Sequence, residues 1–430
     1  MMPQIRRAFD QAPSLINAGL RASAIVLRFS LIIFITREAG LEGIGVYGVV
    51  QSLIAPSPAA LGLGINYFWG RNLVHASLSE ASLAVRDRMI LSLLVCSVIS
   101  LIVFSSASWI DVRFSGLLPE IIGLCFLEVI GKDIHVGLNA VRHSRTANLL
   151  YFIRSSAWVP LVLAGHFGFG WFFSLKIIFD LWIGFTIASY IGVLALLLNW
   201  NPDLIWTRPK LGSYLIIARK GWYIYLNEVV HAIASNLDRY IIASVLGLRE
   251  VGIYSFFWAF SNTVLTLVDA GVVQTEWPEL VRARRNAGSH SDWSKLARRY
   301  VCRVAVFALC LCSLAAIAAY FSALSVKGNE VRPYLWLSVA MASCQWVAVL
   351  SVAMNAVLAS ARDDRFVAAS NLTFFPIYIA FLPVAAVLGS LPGVMTFISA
   401  LTLIFLLIRT KRVVLLIRAA STSAAPQRAS

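Results

Sequence analysis

GLEGIGVY at 40–47 returns as GLREVGIY at 247–254, an offset of 207 residues. The register continues without a gap to Gly64 and Gly271, and a second echo pairs Asn139, Ala140 and Val141 with Asn355, Ala356 and Val357 at an offset of 216. Growth of the offset by nine residues is what a loop insertion does to a preserved repeat. The chain is therefore read as two copies of one unit.

Each copy of the motif follows one apolar, helix-length segment and leads into another. Of the 430 residues, 59% are hydrophobic and 13% charged, which excludes a soluble globule with a charge-rich surface. Segments long enough to cross roughly 30 Å of hydrocarbon at about 1.5 Å per residue lie near 15–35, 43–66, 89–110, 114–139, 147–166, 171–199, 222–245, 251–273, 303–324, 333–358, 366–388 and 394–417. Twelve spans predict an all-α polytopic membrane protein. Because each half holds an even number, both halves start on the same side, giving two parallel six-helix lobes related by an axis along the membrane normal. The predicted divisions are a first lobe at 1–199 with the more cationic interior, a cytoplasmic linker at 200–221, a second lobe at 222–417 with the more acidic interior, and a disordered cytoplasmic tail at 418–430.

Orientation follows from the 36 Lys and Arg residues. The termini and the loops after even-numbered spans hold most of them, and the opposite loops hold only Arg37, Arg113, Arg249, Lys327 and Arg332. By the positive-inside rule both termini are cytoplasmic. The richest loop, with Arg282, Arg284, Arg285, Lys295, Arg298 and Arg299, reads as a topology anchor beside an anionic leaflet; no nucleic-acid motif accompanies it. The six cysteines lie in or at the edge of spans without a CxxC, so no metal site is predicted.

Charges within spans are costly and are kept when paired or wet. The first half holds Arg21, Arg28, Lys132, Arg154 and Lys176 against Glu120, Glu128, Asp133 and Asp180, and the second holds Arg239 against Glu228, Asp238, Asp269 and Glu276. At about 100° per residue, Asn17, Arg21 and Arg28 share one face of span one; Glu128, Lys132, His135, Asn139 and Arg142 share one face of span four. Arg21, Lys132 and Arg154 fall in the cytoplasmic halves of their spans, with Arg28 near the middle. Together they predict a cationic vestibule open to the cytoplasm. The packing alternative pairs Lys132 with Glu128 or Asp133, pairs Lys176 with Asp180, and lets Arg21 snorkel to the headgroups. Arg28 and Arg154 have no acid within four residues and carry the functional reading best.

Span seven predicts a second polar face formed by Glu228, His231, Ser235, Asp238 and Arg239, with Asp269 following on span eight. Glu228, His231, Asp238 and Asp269 are the candidates for coupling to an ion, H+ or Na+; a self-satisfied packing network is the alternative. Pro56 and Pro58 in span two, and Pro376 and Pro383 in span eleven, predict bends.

The sequences RFSLIIFITREAGLEGIGVYGVVQSLI and LDRYIIASVLGLREVGIYSFFWAFSNTV each run from a spanning helix through a short Gly-Leu-x-x-x-Gly-x-Tyr loop into a second helix. This pattern resembles the start of each half of the polysaccharide transporters, the Wzx-type O-antigen flippases among them. They belong to the multidrug, oligosaccharidyl-lipid and polysaccharide exporter (MOP) superfamily. The resemblance covers nearly the whole chain. It implies a non-enzymatic flippase that moves an undecaprenyl-diphosphate-linked oligosaccharide from the cytoplasmic to the periplasmic leaflet of a bacterial inner membrane, by alternating access. The cargo would build O-antigen (lipopolysaccharide), exopolysaccharide or capsule. Membrane lipids, a polysaccharide polymerase and chain-length machinery are the implied partners, with no cofactor beyond a coupling ion.

The two readings meet at the vestibule, since a diphosphate needs cations and Arg suits it with bidentate geometry. Arg28 and Arg154, then Arg21 and Lys132, are the expected diphosphate contacts. Tyr47, Asn139, Asn262 and Asn355 are the expected sugar or gating contacts, with helix packing as their alternative. On the same fold the other reading is an ion-coupled multidrug or cation antiporter, favoured by Asp238, Glu228 and Asp269 and disfavoured by the cationic first lobe. A membrane-embedded polymerase or glycosyltransferase is disfavoured by the short predicted outward loops.

Overall fold

Gly40 and Gly247, the first residues of the two repeated motifs, both take positive φ, 67° and 103°. That backbone is open to glycine at little cost, and at both places it separates two helices. The computed structural model describes residues 2–74, 76–105, 114, 116–171, 173–285, 290–326 and 330–422. Arg113, Lys327 and the tail from 423 onward, named above, lie outside the described residues. No strand occurs among the described residues.

Seven segments among them are long and apolar enough to cross a membrane. Two of these, Gly19–Leu61 (43 residues) and Asp364–Arg418 (55 residues), are each broken at one residue of non-helical backbone, Gly40 and Ser390. At about 1.5 Å per residue each has length for two crossings. The helices Leu78–Ser105 and Leu118–Ala140 and the pair Gly212–Ala234 with Leu237–Val245 complete the twelve spans of the sequence reading.

By contact the chain divides into two compact units, Met1–Glu38 with Val49–Asn236 and Ala39–Gly48 with Leu237–Ser430. Residues 200–221, read above as a linker, stay with the first unit for a visible reason. The Arg86 guanidinium donates to the Leu204 and Thr207 carbonyls, the second at 2.7 Å; Asp87 accepts from the Lys210 backbone N–H at 2.9 Å; and the Tyr214 hydroxyl donates to the Ala84 carbonyl at 3.0 Å. These bonds pin the segment to the start of span three. A capping box opens that span: Ser77 N–H and Oγ both donate to Glu80 Oε2 at 2.9 Å, and Glu80 N–H returns to Ser77 Oγ at 3.3 Å.

The first unit's core joins Ile65 and Trp69 to Val85, Ile130, Ile134, Leu138, Val193 and Leu197. The second unit's core joins Val264 and Val268 to Trp293, Tyr300, Val304, Val357, Leu358 and Val413. Within the second unit the two copies of the motif pack backbone to backbone. A Cβ on Gly45 would lie 2.0 Å from the Leu248 carbonyl oxygen, and a Cβ on Gly252 would lie 1.9 Å from the Leu41 carbonyl oxygen. Residues 41 and 248, like 45 and 252, are equivalent by the repeat, so the contact is reciprocal. The repeated Gly-Leu-x-x-x-Gly pattern is thus a self-complementary packing surface.

The turns after spans four and ten are equivalent as well. Arg142 and Arg362 both take positive φ, 65° and 62°, and the next N–H in each turns back on its helix, His143 to Leu138 O at 2.8 Å and Asp363 to Leu358 O at 3.0 Å. This equates residues 220 apart. The Asn-Ala-Val echo at 216 is therefore four residues, about one helical turn, out of structural register.

One sequence expectation fails in the fold. The face predicted to run from Glu228 to Arg239 on one helix is interrupted, because the helix ends at Ala234 and restarts at Leu237. The Asn236 amide donates to the Ala232 carbonyl at 2.8 Å, a side-chain bond that competes with the helical ladder.

Candidate cationic site in the first unit

Span four, Leu118–Ala140, carries Gly131 at a point where no side chain fits. A Cβ there would lie 1.2 Å from Arg154 Nη1 and 2.6 Å from the Tyr190 hydroxyl. The missing side chain is the seat of the Arg154 guanidinium, which is 7% exposed. Arg154 Nη2 lies 3.3 Å from Glu128 Oε2, while Nε has no hydrogen-bond partner. Gly131→Ala is expected to evict the guanidinium and to lower stability by about 1–3 kcal/mol through overpacking, although Ala is the better helix former. Thermal unfolding in detergent checks this; a stabilised variant would disprove the seat.

Tyr151, one turn before Arg154, is the other organiser. Its hydroxyl accepts from Arg28 Nη2 at 3.2 Å, and the Cζ atoms of Arg28 and Arg154 each lie 5.8 Å from its ring centroid, within cation–π range. The His135 ring stands 6.1 Å from that of Tyr151, and its Nδ1 is 3.4 Å from the Ala147 carbonyl. The structure thus brings Arg28 and Arg154 together at Tyr151, beside His135, while Arg21 is half-buried on the first helix and Lys132 exposed on span four. Gly131, Ile134, His135, Ala147, Leu150, Tyr151 and Arg154 line a narrow cleft with room for about one water molecule.

The ion pairs differ from the local pairing of the sequence reading. Glu128 takes Arg154 rather than Lys132. Asp133 takes Arg88, at 3.2 Å, and accepts from Ser92 Oγ at 2.5 Å; Arg88 also donates to the Gly62 carbonyl at 2.8 Å. Lys176 takes Glu120, at 3.2 Å, rather than Asp180. Side chains on neighbouring helices approach more closely than the i,i+4 partner in each case. Lys132 is left exposed.

The remaining candidates are not drawn into this cluster. Asn139 is exposed at the end of span four; Tyr47 is buried, and Asn262 and Asn355 half-buried, in the second unit. Glu228 and His231 are exposed in the first unit, and Asp269 is exposed at the head of a π-helical turn, Asp269–Val273. Asp238, 4% exposed, accepts from the Tyr254 hydroxyl and lies 3.8 Å from Arg239 Nε. Arg239 Cζ in turn lies 3.9 Å from the Trp258 ring centroid.

Sequence reasoning missed Gly131, Tyr151 and Tyr190. Gly131 had a usable signal, a glycine inside a spanning helix directly before Lys132 and Asp133. It also missed Arg409. Arg409 is 7% exposed in the second unit, among Ser351, Ser370 and Asn371.

Residues 137–330 match a family model described as polysaccharide biosynthesis protein. No curated protein sequence matches the chain. Among solved structures, the chain is similar to an inward-facing multidrug resistance MATE family transporter of the MOP superfamily, with 12% identity and a TM-score of 0.71 over 96% of this chain and all of that one. An outward-facing MATE transporter aligns at 13% identity and TM-score 0.61, over 95% of this chain and 97% of that one. A MOP superfamily transporter from Pyrococcus furiosus, described as having a binding pocket of reverse polarity, aligns at 12% identity and TM-score 0.57, over 96% and 95%. At these identities the likeness is one of fold.

Proposed function

We infer the function from two observations: residues 137–330 match a polysaccharide-biosynthesis family model in a chain whose fold is similar to that of multidrug, oligosaccharidyl-lipid and polysaccharide exporter transporters, and in its first unit Arg28 and Arg154 both lie beside Tyr151. The chain is a polytopic membrane exporter and not an enzyme. Its cargo, on our reading, is a lipid-diphosphate-linked oligosaccharide, carried from the cytoplasmic to the periplasmic leaflet of a bacterial inner membrane, with both termini cytoplasmic. The observation that supports this cargo is the Arg28–Tyr151–Arg154 cluster.

Tyr151 lies within cation–π range of both guanidiniums and accepts one hydrogen bond, from Arg28. Arg154 keeps Nε unsatisfied, and Lys132 is exposed. A diphosphate supplies the acceptor oxygens and the negative charge that this arrangement lacks, through charge-assisted bonds. Tyr47, Asn139, Asn262 and Asn355 are proposed to meet the sugar during passage. Alternating access moves the cargo, and the diphosphate biases it through its different affinity for the two states.

Coupling to an H+ or Na+ gradient is assigned to Glu228, His231, Asp238 and Asp269. A buried carboxylate at Asp238, bonded by the Tyr254 hydroxyl, also favours the second reading, an ion-coupled cation or drug antiporter. Complementation separates the two. In a host deleted for this gene, Arg28→Ala and Arg154→Ala at wild-type membrane levels are expected to restore surface polysaccharide at least about tenfold less well than wild type, the loss of a charged hydrogen bond. Lipid-linked oligosaccharide should accumulate on the cytoplasmic face. Full rescue by both variants, or a deletion that changes drug sensitivity and leaves polysaccharide intact, would overturn the flippase reading in favour of the antiporter.

A further inference from the structure

The equivalence of the turns at Arg142 and Arg362 allows the first unit's cationic seat to be looked for in the second. An offset of 220 carries Gly131 to Ser351 and Tyr151 to Asn371, on unbroken helix on either side of the turn. A guanidinium occupies that place too. Arg409 Nη1 donates to Ser351 Oγ at 2.6 Å, and Nη2 to Asn371 Oδ1 at 2.7 Å and Ser370 Oγ at 3.4 Å. It arrives from a different helix, since the counterpart of Arg154 is Phe374 and Arg409 stands on the last span. Two units therefore place the same chemical group at the same point by different routes, which a requirement of the helix backbone alone does not explain.

The counter-charge is not reproduced. Ala348 stands where Glu128 stands in the first unit. Asp363, the acid of the nearby turn, is taken by Arg412 at 2.7 Å, and among the described residues no carboxylate forms an ion pair with Arg409. The guanidinium is 7% exposed, and its Nε has no hydrogen-bond partner. Ser351 lies nine residues before the end of its helix and Ser370 six residues after the start of the next, roughly 9–13 Å of helix from the turn at 361–363. A charge so placed, held by hydroxyl and amide dipoles alone, is poorly compensated.

We propose that Arg409, with Ser351 and Asn371, forms an oxyanion site in the second unit that takes a phosphate-class group. The guanidinium supplies the charge and the free Nε–H, the Ser351 hydroxyl donates its proton, and Asn371 holds the guanidinium in place through Oδ1. The phosphate comes from one of two sources, the diphosphate of the cargo or the phosphodiester headgroup of an anionic membrane lipid. The first source rests on the flippase reading and the second does not.

The test uses the full chain in phosphatidylcholine nanodiscs, with inorganic pyrophosphate as probe and calorimetric titration as readout, and a parallel thermal melt with and without phosphatidylglycerol. Wild type, Arg409→Gln, Ser351→Ala and Arg28→Gln are compared, each first melted without anion to establish that it folds. Arg409→Gln is expected to weaken one of two pyrophosphate steps at least about tenfold, and Ser351→Ala, which keeps the charge, by a smaller factor. Arg28→Gln should weaken the other step. Stabilisation by phosphatidylglycerol that Arg409→Gln abolishes, without a pyrophosphate effect, supports the site with the lipid as its source. If Arg409→Gln folds and behaves as wild type in both arms, the site is overturned, and loss in Arg28→Gln alone leaves the flippase reading standing. If Arg409→Gln does not fold, an unchanged Ser351→Ala overturns the site equally.

Discussion

Gly45→Ala and Gly252→Ala each lower the stability of the protein by about 1–3 kcal/mol or more, while Gly192→Ala raises it by up to about 1 kcal/mol. All three replace a helical glycine by the best helix former, so propensity alone predicts three gains. The sign reverses at the first two because the added Cβ would meet a backbone carbonyl at 2.0 and 1.9 Å, whereas at Gly192, in the helix Leu175–Trp200, it meets nothing within 4 Å. A backbone oxygen cannot rotate away as a side chain can. Relief requires the two motif copies to separate, and the reciprocal geometry means that either substitution opens the same contact. The double variant is therefore expected to cost less than the sum of the singles. Thermal melts of the four proteins in one detergent decide it. A gain in stability at Gly45 or Gly252 would show that the motifs do not touch as described.

The second large effect separates two adjacent charges. Asp133→Ala is expected to cost about 3–5 kcal/mol, because it strands a buried cation; Arg88 is 0% exposed and Asp133 its ion-pair partner at 3.2 Å. Removing both charges, as Arg88→Met with Asp133→Leu, should recover most of that loss, since a buried ion pair is worth little over well-packed apolar groups of similar volume. Lys132→Ala, one residue away and exposed, is expected to change stability by no more than about 0.5 kcal/mol. Its effect falls on transport, which it should lower through loss of a vestibule cation. Unfolding measured beside complementation at matched expression tests both halves. An Asp133→Ala protein as stable as wild type would remove the staple from the account, and a silent Lys132→Ala would remove Lys132 from the site.

How much of this was legible in the residues follows from what each signal encodes. The hydrophobic spans and the 207-residue repeat are one-dimensional features, and they carried the all-α membrane class and its twelve spans. The cations Arg21, Arg28, Lys132 and Arg154 could be picked out because charge in an apolar span is rare. Their partners could not. Periodicity tells which residues share a helix face but not which helix lies opposite, so the packing alternative offers Glu128 or Asp133 to Lys132 although Glu128 meets Arg154 and Asp133 meets Arg88. The same ambiguity hid Arg409, whose place among Ser351, Ser370 and Asn371 depends on three spans meeting.

Similarly, Asn139 and Asn355 echo each other in sequence yet stand one turn apart in register, because backbone hydrogen bonds at Arg142 and Arg362 set the turns.

The sequence by itself determined that this chain crosses a membrane many times, is internally duplicated, and holds more positive charge in the spans of its first half. Those properties follow from transfer free energy and from chain order, which are local and additive. Only the tertiary structure decided that the repeated glycines face each other across a carbonyl contact, that Gly131 is a seat for Arg154, and that Asp133 staples while its neighbour Lys132 stays exposed. Those depend on distances of a few ångströms between helices far apart in the chain. At that range a single Cβ or a single carboxylate changes the energy by several kcal/mol, and no periodicity in the sequence records it.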